Sequence, residues 1–577
     1  MVGLLAGRIA VKRGELAAGL IAGLLIFRGA PTIAAGLSAQ PYDIVIENGH
    51  IVDGSGSPWY AADLAIRDGR IAAIGRLHHA PARHRIDARG KVVAPGFIDM
   101  LGQSELTLLV NPHVPSKIFQ GITTEVTGEG SSAAPLNDAI IQADAVAYAH
   151  LHIKPDWRNF SEYFARLEKQ GIGINFASYV GATQVRRMVL GDDNRAPTAA
   201  ELTRMRALVR DAMRQGAFGL STSLQYAPAP YASTEELIAL ASEAGAFGGI
   251  YATHMRSEGN AQMAAIDEAI RIGREAGTPV EIWHLKSAGK ENWGRMPQLV
   301  AKIDAARRSG LDISANTYAY TAWSNSLSAF VPPWAHAGGD SKLIERLKDP
   351  QTRQRIIHEM ESPASDWDNE WQEIAGPEAV LVRVVQNPAL LPLQGKNLVE
   401  IAKLRGQKPI DALLDVLIED QAYTFCAVFG MSQDDVTLAL RQPWVSIDND
   451  SQGTAPYGAL AGEHPHPRAY GTFPRILKKY VREEAVLTLE DAIRKFSALP
   501  AQRMGFTDRG VLKQQMWADV VVFDPAEIRD MATFEEPNQL SVGMDYVLVN
   551  GVPVIAGGKA TDALPGRVLR GPGAQPH

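Results

Sequence analysis

The chain has 577 residues, a formal net charge of −7 at pH 7 and a single cysteine, Cys426. Its basic residues are scattered rather than clustered, which argues against a nucleic-acid partner, and one cysteine excludes a framework of intramolecular disulfides. The composition is typical of a soluble globular enzyme, and barrel enzymes with insertions reach this length.

Residues 1–39 have the order of a secretory signal peptide. Lys12 and Arg13 precede a twelve-residue apolar run over residues 16–27, and small residues follow up to Ala39. A membrane span needs about 20 apolar residues, so a permanent anchor is disfavoured. We therefore predict export to the periplasm or the medium, with no stable membrane anchor after processing.

Strand-like segments at both ends of the chain predict one small β domain. Residues 42–93 contain alternating runs with Asn-Gly and Asp-Gly turns, and residues 517–560 repeat this texture. Each half is too small to bury a core alone, so we expect the halves to pair into a β-sandwich. The predicted boundaries are 40–94 and 501–577 for this domain, and 95–500 for the region between them.

Between these halves, eight β-type runs alternate with amphipathic segments that end in glycine, and eight is the number that closes a (β/α)8 barrel. An open doubly wound sheet is the alternative, but no glycine-rich phosphate loop follows the first run. The predicted fold class is α/β, a (β/α)8 TIM barrel with a small β-sandwich domain formed from both ends of the chain. The eight runs are VVAPGFIDML, GITTEVTGEG, INFASYVGA, GAFGLSTSL, GIYATHMR, VEIWHLK, DISANTYAY and WVSIDNDSQ.

Two of the 14 histidines, His254 and His284, occupy matching positions at the ends of the fifth and sixth runs. Neighbouring parallel strands end side by side, so we expect both imidazoles to reach one metal ion. The alternative is a pair of core histidines that are held by hydrogen bonds. His464 and His466 follow the eighth run in a loop, where we expect solvated side chains.

Other polar residues end the remaining runs, at the face where the active sites of such barrels are built. Asp450 has the alternative role of a turn or helix-capping aspartate, and Lys286 that of a surface charge. The residues at these strand ends are Asp99, Gln103, Glu105, Glu129, Lys286, Tyr318, Tyr320, Asp448 and Asp450.

Several motifs resemble the N-acyl-D-amino-acid deacylase (D-aminoacylase) branch of the amidohydrolase superfamily. They are GAFGLSTSLQYAPAPYASTEELIALA, ATHMRSEG, HLKSAG, TAWSNSLSAFVPPWA, HPRAYGTFPRIL and MWADVVVFDP. The resemblance spans residues 42–557. It implies a metal-dependent barrel with a flanking β-sandwich that hydrolyses N-acyl amino acids, D-configured ones in particular, or small peptide-like amides.

The resemblance also implies roles for individual residues. His254 and His284 match the metal-binding histidines, and Asp450 matches the catalytic aspartate, which acts as general base and then general acid. The residues that match the substrate contacts of the family are Tyr226, Lys286, Tyr318, Ser324 and Arg468.

Of three departures from the family pattern, two concern the metal site and one concerns the polar contacts at the end of the third strand. Leu101 and Gln103 replace the first-strand His-x-His, and Ala182 replaces a histidine of the third strand. Glu129 lies in the turn that usually carries a metal-binding cysteine, and two histidines with one glutamate are an established catalytic zinc set. We therefore predict one Zn²⁺ per chain, with Glu105 or a carboxylated lysine as the alternative third ligand.

Two other functions stay open. One is a hydrolase of another bond class, such as a dipeptide, cyclic imide or lactone, because the fold does not determine the substrate. The other is a degenerate barrel that only binds ligands, which the retained His254, His284 and Asp450 disfavour. Chelator-sensitive activity would separate the two. The sequence leaves the oligomeric state open, a homo-oligomer included.

Overall fold

The computed structural model describes residues 40–364 and 367–575. The predicted signal peptide, residues 1–39, lies outside the described residues. Within the described ranges, no helix combines the length and the apolar character that crossing a bilayer requires. Strands dominate both ends of the described part of the chain, whereas helices and strands alternate through its middle.

The N-terminal strands are organised around the longest one. In chain order the strands are β1 (Tyr42–Ile51), β2 (Tyr60–Arg67), β3 (Arg70–Gly75), β4 (Ala82–Asp87) and β5 (Val92–Pro95). Strand β1 pairs antiparallel with β2 and parallel with both β4 and β5. Asp68 and Gly69 adopt positive φ and form the tight β2–β3 turn, as predicted. Asn48 and Gly49 instead form a bulge inside β1, so the prediction of a turn there is wrong. Asn48 is held by the Asp63 carboxylate.

The first seven barrel strands come next, the third of them in two pieces, β8 and β9: β6 (Phe97–Asp99), β7 (Ile122–Thr127), β8 (Asn175–Ser178), β9 (Val180–Gly181), β10 (Gly219–Ser223), β11 (Ile250–His254), β12 (Val280–Ile282) and β13 (Ile313–Thr317). Every hydrogen-bonded pair among these strands is parallel. The third predicted run is broken at Tyr179: β8 pairs with β7, and β9 pairs with β10.

An insertion follows the seventh barrel strand. It contains an antiparallel sheet of β14 (Trp323–Ser326), β15 (Val380–Val384) and β16 (Phe425–Val428), in which β16 is the central strand. The chain then returns to the barrel as β17 (Val445–Ile447), which pairs with β13. The Met100 N–H donates to the Ile447 carbonyl over 3.4 Å, and Gly102 bridges Ser451 in parallel, so backbone hydrogen bonds link the first and eighth strands.

The C-terminal strands are β18 (Val520–Phe523), β19 (Met544–Val549), β20 (Val552–Ala556) and β21 (Lys559–Ala560). Strand β18 pairs antiparallel with β5, so strands from both ends form one nine-stranded sheet. Buried side chains such as Ile46, Leu64 and Val520 form its core. The predicted fold class is therefore confirmed, whereas the boundaries at residues 94 and 500 stay predictions.

The helices pack their apolar faces on the sheets and end where the sequence indicates. The Ser233 hydroxyl accepts a hydrogen bond from the Glu236 N–H at the start of α8, and Gly277 with φ 65° ends α9. A π-helical stretch, Ile476–Glu483, continues α17. The helices are α1 (Thr107–Val110), α2 (Pro115–Ile118), α3 (Asp138–Ala143), α4 (Ala145–His150), α5 (Phe160–Gln170), α6 (Ala182–Leu190), α7 (Ala199–Gln215), α8 (Thr234–Gly245), α9 (Gln262–Ala276), α10 (Met296–Arg308), α11 (Asp340–Lys348), α12 (Pro350–Met360), α13 (Glu370–Glu373), α14 (Leu398–Arg405), α15 (Pro409–Glu419), α16 (Gln433–Arg441), α17 (Arg468–Arg475), α18 (Leu489–Phe496) and α19 (Ala498–Met504).

Candidate active site

The carboxyl ends of the barrel strands open into a cavity of about 710 Å³. Residues of the insertion, among them Trp323 and Asn325, form part of its wall. Tyr318 is the one predicted site residue that does not line this cavity. The predicted residues that do line it are Glu129, Tyr226, His254, His284, Lys286, Ser324, Asp450 and Arg468.

Glu129, His254 and His284 converge at the floor of the cavity. Oε1 of Glu129 lies 3.1 Å from Nδ1 of His254 and 3.4 Å from Nε2 of His284. One ligand atom from each residue lies within 4.8 Å of the other two. Gly128 and Gly130, with φ of 97° and 65°, flank Glu129 and let the chain turn sharply after β7. The three side chains therefore fit a divalent metal ion with one oxygen and two nitrogen donors.

The charges around these histidines favour an added cation. Burial raises the pKa of the Glu129 carboxyl, but hydrogen bonds with His254 and His284 outweigh it and hold that pKa well below its usual range. Burial and Lys286 lower the pKa of His284, yet nearby carboxylates, with Glu258 acting most strongly, raise it to about 10. Carboxylates therefore dominate the electrostatic field at His284, and such a field favours the binding of a cation.

Residues behind the histidines orient their rings. Nε2 of His254 lies 2.9 Å from Oε1 of Gln225, whose amide nitrogen donates to Glu370 over 2.7 Å. On the other side, Nδ1 of His284 lies 2.8 Å from the Lys286 ammonium and 2.9 Å from Oε1 of Glu258. Partners of this kind fix the rotation of metal-binding imidazoles. Sequence reasoning missed Gln225 and both glutamates: Glu258 carried a signal, four residues after His254, but Glu370 in the insertion carried none.

Asp450 lies beside the three clustered residues and is 5% exposed. Its Oδ2 is 2.8 Å from Nη1 of Arg468, and its Oδ1 accepts a hydrogen bond of 3.1 Å from the Gln103 amide. Asp450 has φ +44° and His284 has φ +36°, a backbone conformation that is strained for residues other than glycine and is often found at functional sites. The partners of Asp450 are side chains of the cavity, which contradicts the alternative of a helix-capping aspartate.

Gln103 connects two carboxylates. Its amide nitrogen donates to Oε2 of Glu129 over 2.8 Å and to Oδ1 of Asp450 over 3.1 Å. Leu101, the other replacement for a first-strand histidine, is fully buried in a hydrophobic cluster and offers no ligand atom. An uncharged donor therefore occupies the space between the two carboxylates.

Two of the predicted substrate contacts are buried charges. Lys286 is 3% exposed and its ammonium lies 2.6 Å from Glu258, so the alternative of a surface charge is wrong. The Arg468 guanidinium stacks over the Tyr318 ring at 4.7 Å. Tyr318 therefore contacts the Arg468 guanidinium and does not line the cavity itself.

The remaining predicted residues differ in their environments. The Tyr226 ring packs against His254 at 4.9 Å, and the Ser324 hydroxyl donates to the Cys426 carbonyl over 2.7 Å. The prediction of a solvated His466 is wrong: the side chain is 4% exposed and its Nε2 lies 3.1 Å from the Ala322 carbonyl. Burial holds the pKa of His466 well below its usual range.

A Glu-His-His cluster with an adjacent aspartate, at the carboxyl face of a (β/α)8 barrel, defines a metal-dependent hydrolase. The sequence model of the Amidohydrolase family matches residues 85–555, so the chain belongs to that family. A D-aminoacylase from Alcaligenes xylosoxydans xylosoxydans is 36% identical over 537 residues, which cover 92% of this chain and 98% of the relative.

Two solved structures support the D-aminoacylase branch. The structure of N-acyl-D-glutamate deacylase from Bordetella bronchiseptica, complexed with zinc and a phosphonate inhibitor, has a TM-score of 0.78 and 35% identity; the match covers 92% of this chain and all of that chain (100%). A D-aminoacylase structure with a binuclear metal centre has a TM-score of 0.77 and 35% identity, with the same coverage of 92% and 100%. The resemblance that the motifs indicated is confirmed.

Proposed function

We propose that this protein hydrolyses the amide bond of N-acyl-D-amino acids. The observation that carries the proposal is the convergence of Glu129, His254, His284 and Asp450 at the floor of one cavity. The N-acyl-D-amino-acid deacylases above, 35% and 36% identical over 92% of the chain, support this bond class and this stereochemistry.

Glu129, His254 and His284 would hold the metal, and Zn²⁺ suits this donor set. When bound, zinc polarises the scissile carbonyl and lowers the pKa of water. The proposed stoichiometry is one ion per chain. Gln103 supports it because a second ion would need the same oxygens of Glu129 and Asp450 that the Gln103 amide occupies.

Asp450 is the proposed general base and acid. Its carboxylate accepts the proton of the attacking water and returns it to the leaving nitrogen. Burial raises the pKa of Asp450, and the Arg468 guanidinium opposes that rise. Arg468 also offers its Nε, which has no hydrogen-bond partner among the described residues, as a donor to the substrate carboxylate.

The test is a substrate panel with zinc-reconstituted protein: N-acetyl D- and L-amino acids, dipeptides and lactones. We expect release of free D-amino acids, loss of activity with a chelator and recovery with zinc. If a lactone or a dipeptide is hydrolysed faster than the N-acetyl amino acids, the protein acts on another class of bond. No hydrolysis at verified zinc content would refute the enzymatic proposal.

We also propose that the protein is exported. The support is the order of basic residues, apolar run and small residues in residues 1–39. Cys426, the single cysteine, lies buried and free, so folding in an oxidising compartment requires no intramolecular disulfide.

A further inference from the structure

Five lysine and arginine side chains line the cavity, and four of them are already paired with carboxylates. The pairs are Arg187 with Asp144, Arg256 with Glu268, Lys286 with Glu258, and Arg468 with Asp450. The fifth cation is Arg383. Across residues 40–364 and 367–575, no carboxylate forms a salt bridge with it.

Arg383 is fully buried, and little in the protein compensates its charge. Its Nη1 donates to the Phe534 carbonyl over 3.0 Å, and the Phe534 ring lies 5.5 Å from the guanidinium carbon. Its Nε and Nη2 have no hydrogen-bond partner among the described residues. The carboxylate that acts on it is the exposed Glu535, and burial lowers the pKa of Arg383 to about 9. A buried charge is unfavourable unless a counter-charge and hydrogen bonds satisfy it.

A β-bulge places this side chain in the cavity wall. Val382 pairs with Cys426 and Val384 pairs with Phe425, so Arg383 is the extra residue between two register pairs. Such bulges redirect a side chain and are frequent next to active sites. The position of the guanidinium is therefore built into the backbone of β15 and does not depend on a flexible loop.

We propose that Arg383 anchors a second anion subsite, which receives a carboxylate that the substrate carries in addition to its α-carboxylate. This inference rests on the proposed function. The planar guanidinium fork matches a carboxylate with two parallel hydrogen bonds, and Nε and Nη2 form one such edge. A cavity of about 710 Å³ is large for an N-acetyl amino acid with a small side chain. The second carboxylate lies on the amino-acid side chain or at the far end of the acyl group.

The experiment compares kcat/KM within two isosteric substrate pairs on zinc-loaded protein. One pair is N-acetyl-D-glutamate and N-acetyl-D-glutamine, and the other is N-succinyl-D-alanine and N-succinamoyl-D-alanine. We expect the wild type to prefer the acid about 10- to 100-fold in one pair, which then locates the second carboxylate. Arg383→Met should abolish this preference, and Arg383→Lys should keep part of it. No preference in either pair, or the same preference in Arg383→Met, would overturn the proposal.

Arg187→Met is the matched control because it removes a cavity cation that already has a partner. It should leave the preference for the acid over the amide unchanged. An equal loss of preference in Arg187→Met would mean that the preference depends on the overall charge of the cavity, and this would overturn the subsite. The shift in melting temperature that each of the four compounds causes is also measured for wild type and Arg383→Lys. This measurement reports binding without turnover, and it does not require Arg383→Met to fold. If zinc-loaded wild type hydrolyses none of the compounds, the proposed function fails. An acid-specific thermal shift that weakens in Arg383→Lys would still support the subsite, and equal shifts by acid and amide would overturn it.

Discussion

The substitution Gln103→Glu tests whether an amide takes the place of a second metal ion. It replaces the amide nitrogen with a carboxylate oxygen and keeps the shape of the side chain. In the structure this nitrogen lies 2.8 Å from Glu129 and 3.1 Å from Asp450. The substitution thus removes two hydrogen bonds to carboxylates and brings a third carboxylate next to them.

The expected cost follows from these distances. Two unit charges about 3 Å apart repel each other by ~5 kcal/mol at an effective dielectric constant of about 20. Protonation of one carboxyl group limits this repulsion, because protonating a glutamate with its ordinary pKa at pH 7 costs about 4 kcal/mol. A protonated Glu at position 103 again donates one hydrogen bond. We therefore expect the metal-free variant to lose about 4 kcal/mol of unfolding free energy.

Divalent metal should reverse this loss. A second divalent ion offsets the charge of the added carboxylate, so Gln103→Glu is expected to bind two ions where the wild type is expected to bind one. Ligand binding to the folded state then restores stability. Elemental analysis and chemical denaturation, each with and without zinc, measure both effects. Gln452→Glu is the matched control: Gln452 also lines the cavity and donates to a carboxylate, Glu463, over 2.8 Å. This control should gain no ion.

Two outcomes would refute the reasoning about Gln103. One is a wild type that already holds two tightly bound ions. The other is a Gln103→Glu variant whose metal content equals that of Gln452→Glu. Either result would mean that the amide between Glu129 and Asp450 does not decide the metal stoichiometry.

Three further predictions concern the ligands, the general base and the N-terminus. Glu129→Gln should lower bound zinc and activity together, whereas Asp450→Asn should abolish turnover and retain most of the metal; elemental analysis beside the kinetic assay distinguishes them. Arg468→Ala should raise KM and move the acid limb of the pH–rate profile to higher pH, because burial raises the pKa of Asp450 and Arg468 lowers it; an unmoved limb would contradict this role. Mass spectrometry of the mature protein should find cleavage within residues 35–40, and an uncut chain would exclude export by a cleaved signal peptide.

The barrel was predictable because each strand is a short apolar run that is followed by an amphipathic helix. The break in the third strand was not, since it depends on a change of pairing partner that local sequence does not record. Tyr179 donates its N–H to Thr127 at this break, over 2.9 Å. The Asn48–Gly49 bulge was missed for the same reason, because Asp63, 15 residues away, stabilises it.

The site shows the same limit. His254 and His284 could be placed together because strand order alone brings the carboxyl ends of β11 and β12 side by side. The contacts of Gln103 could not be predicted, since its partners are 26 and 347 residues away in the chain. The roles of the predicted residues stay predictions, while their convergence is a property of the fold.

The insertion determines which nitrogen of His254 faces the metal position. Oε1 of Glu370 accepts hydrogen bonds from Gln225 and from Asn325, so the amide group of Gln225 must point its nitrogen toward Glu370. Its oxygen then faces His254 and can only accept, which makes Nε2 of His254 the protonated nitrogen. Nδ1 of His254 faces Glu129, and in the metal-bound protein it would be the nitrogen that gives its lone pair to the ion. Glu370, more than 100 residues from His254 in sequence, thus orients the amide that contacts a predicted metal ligand.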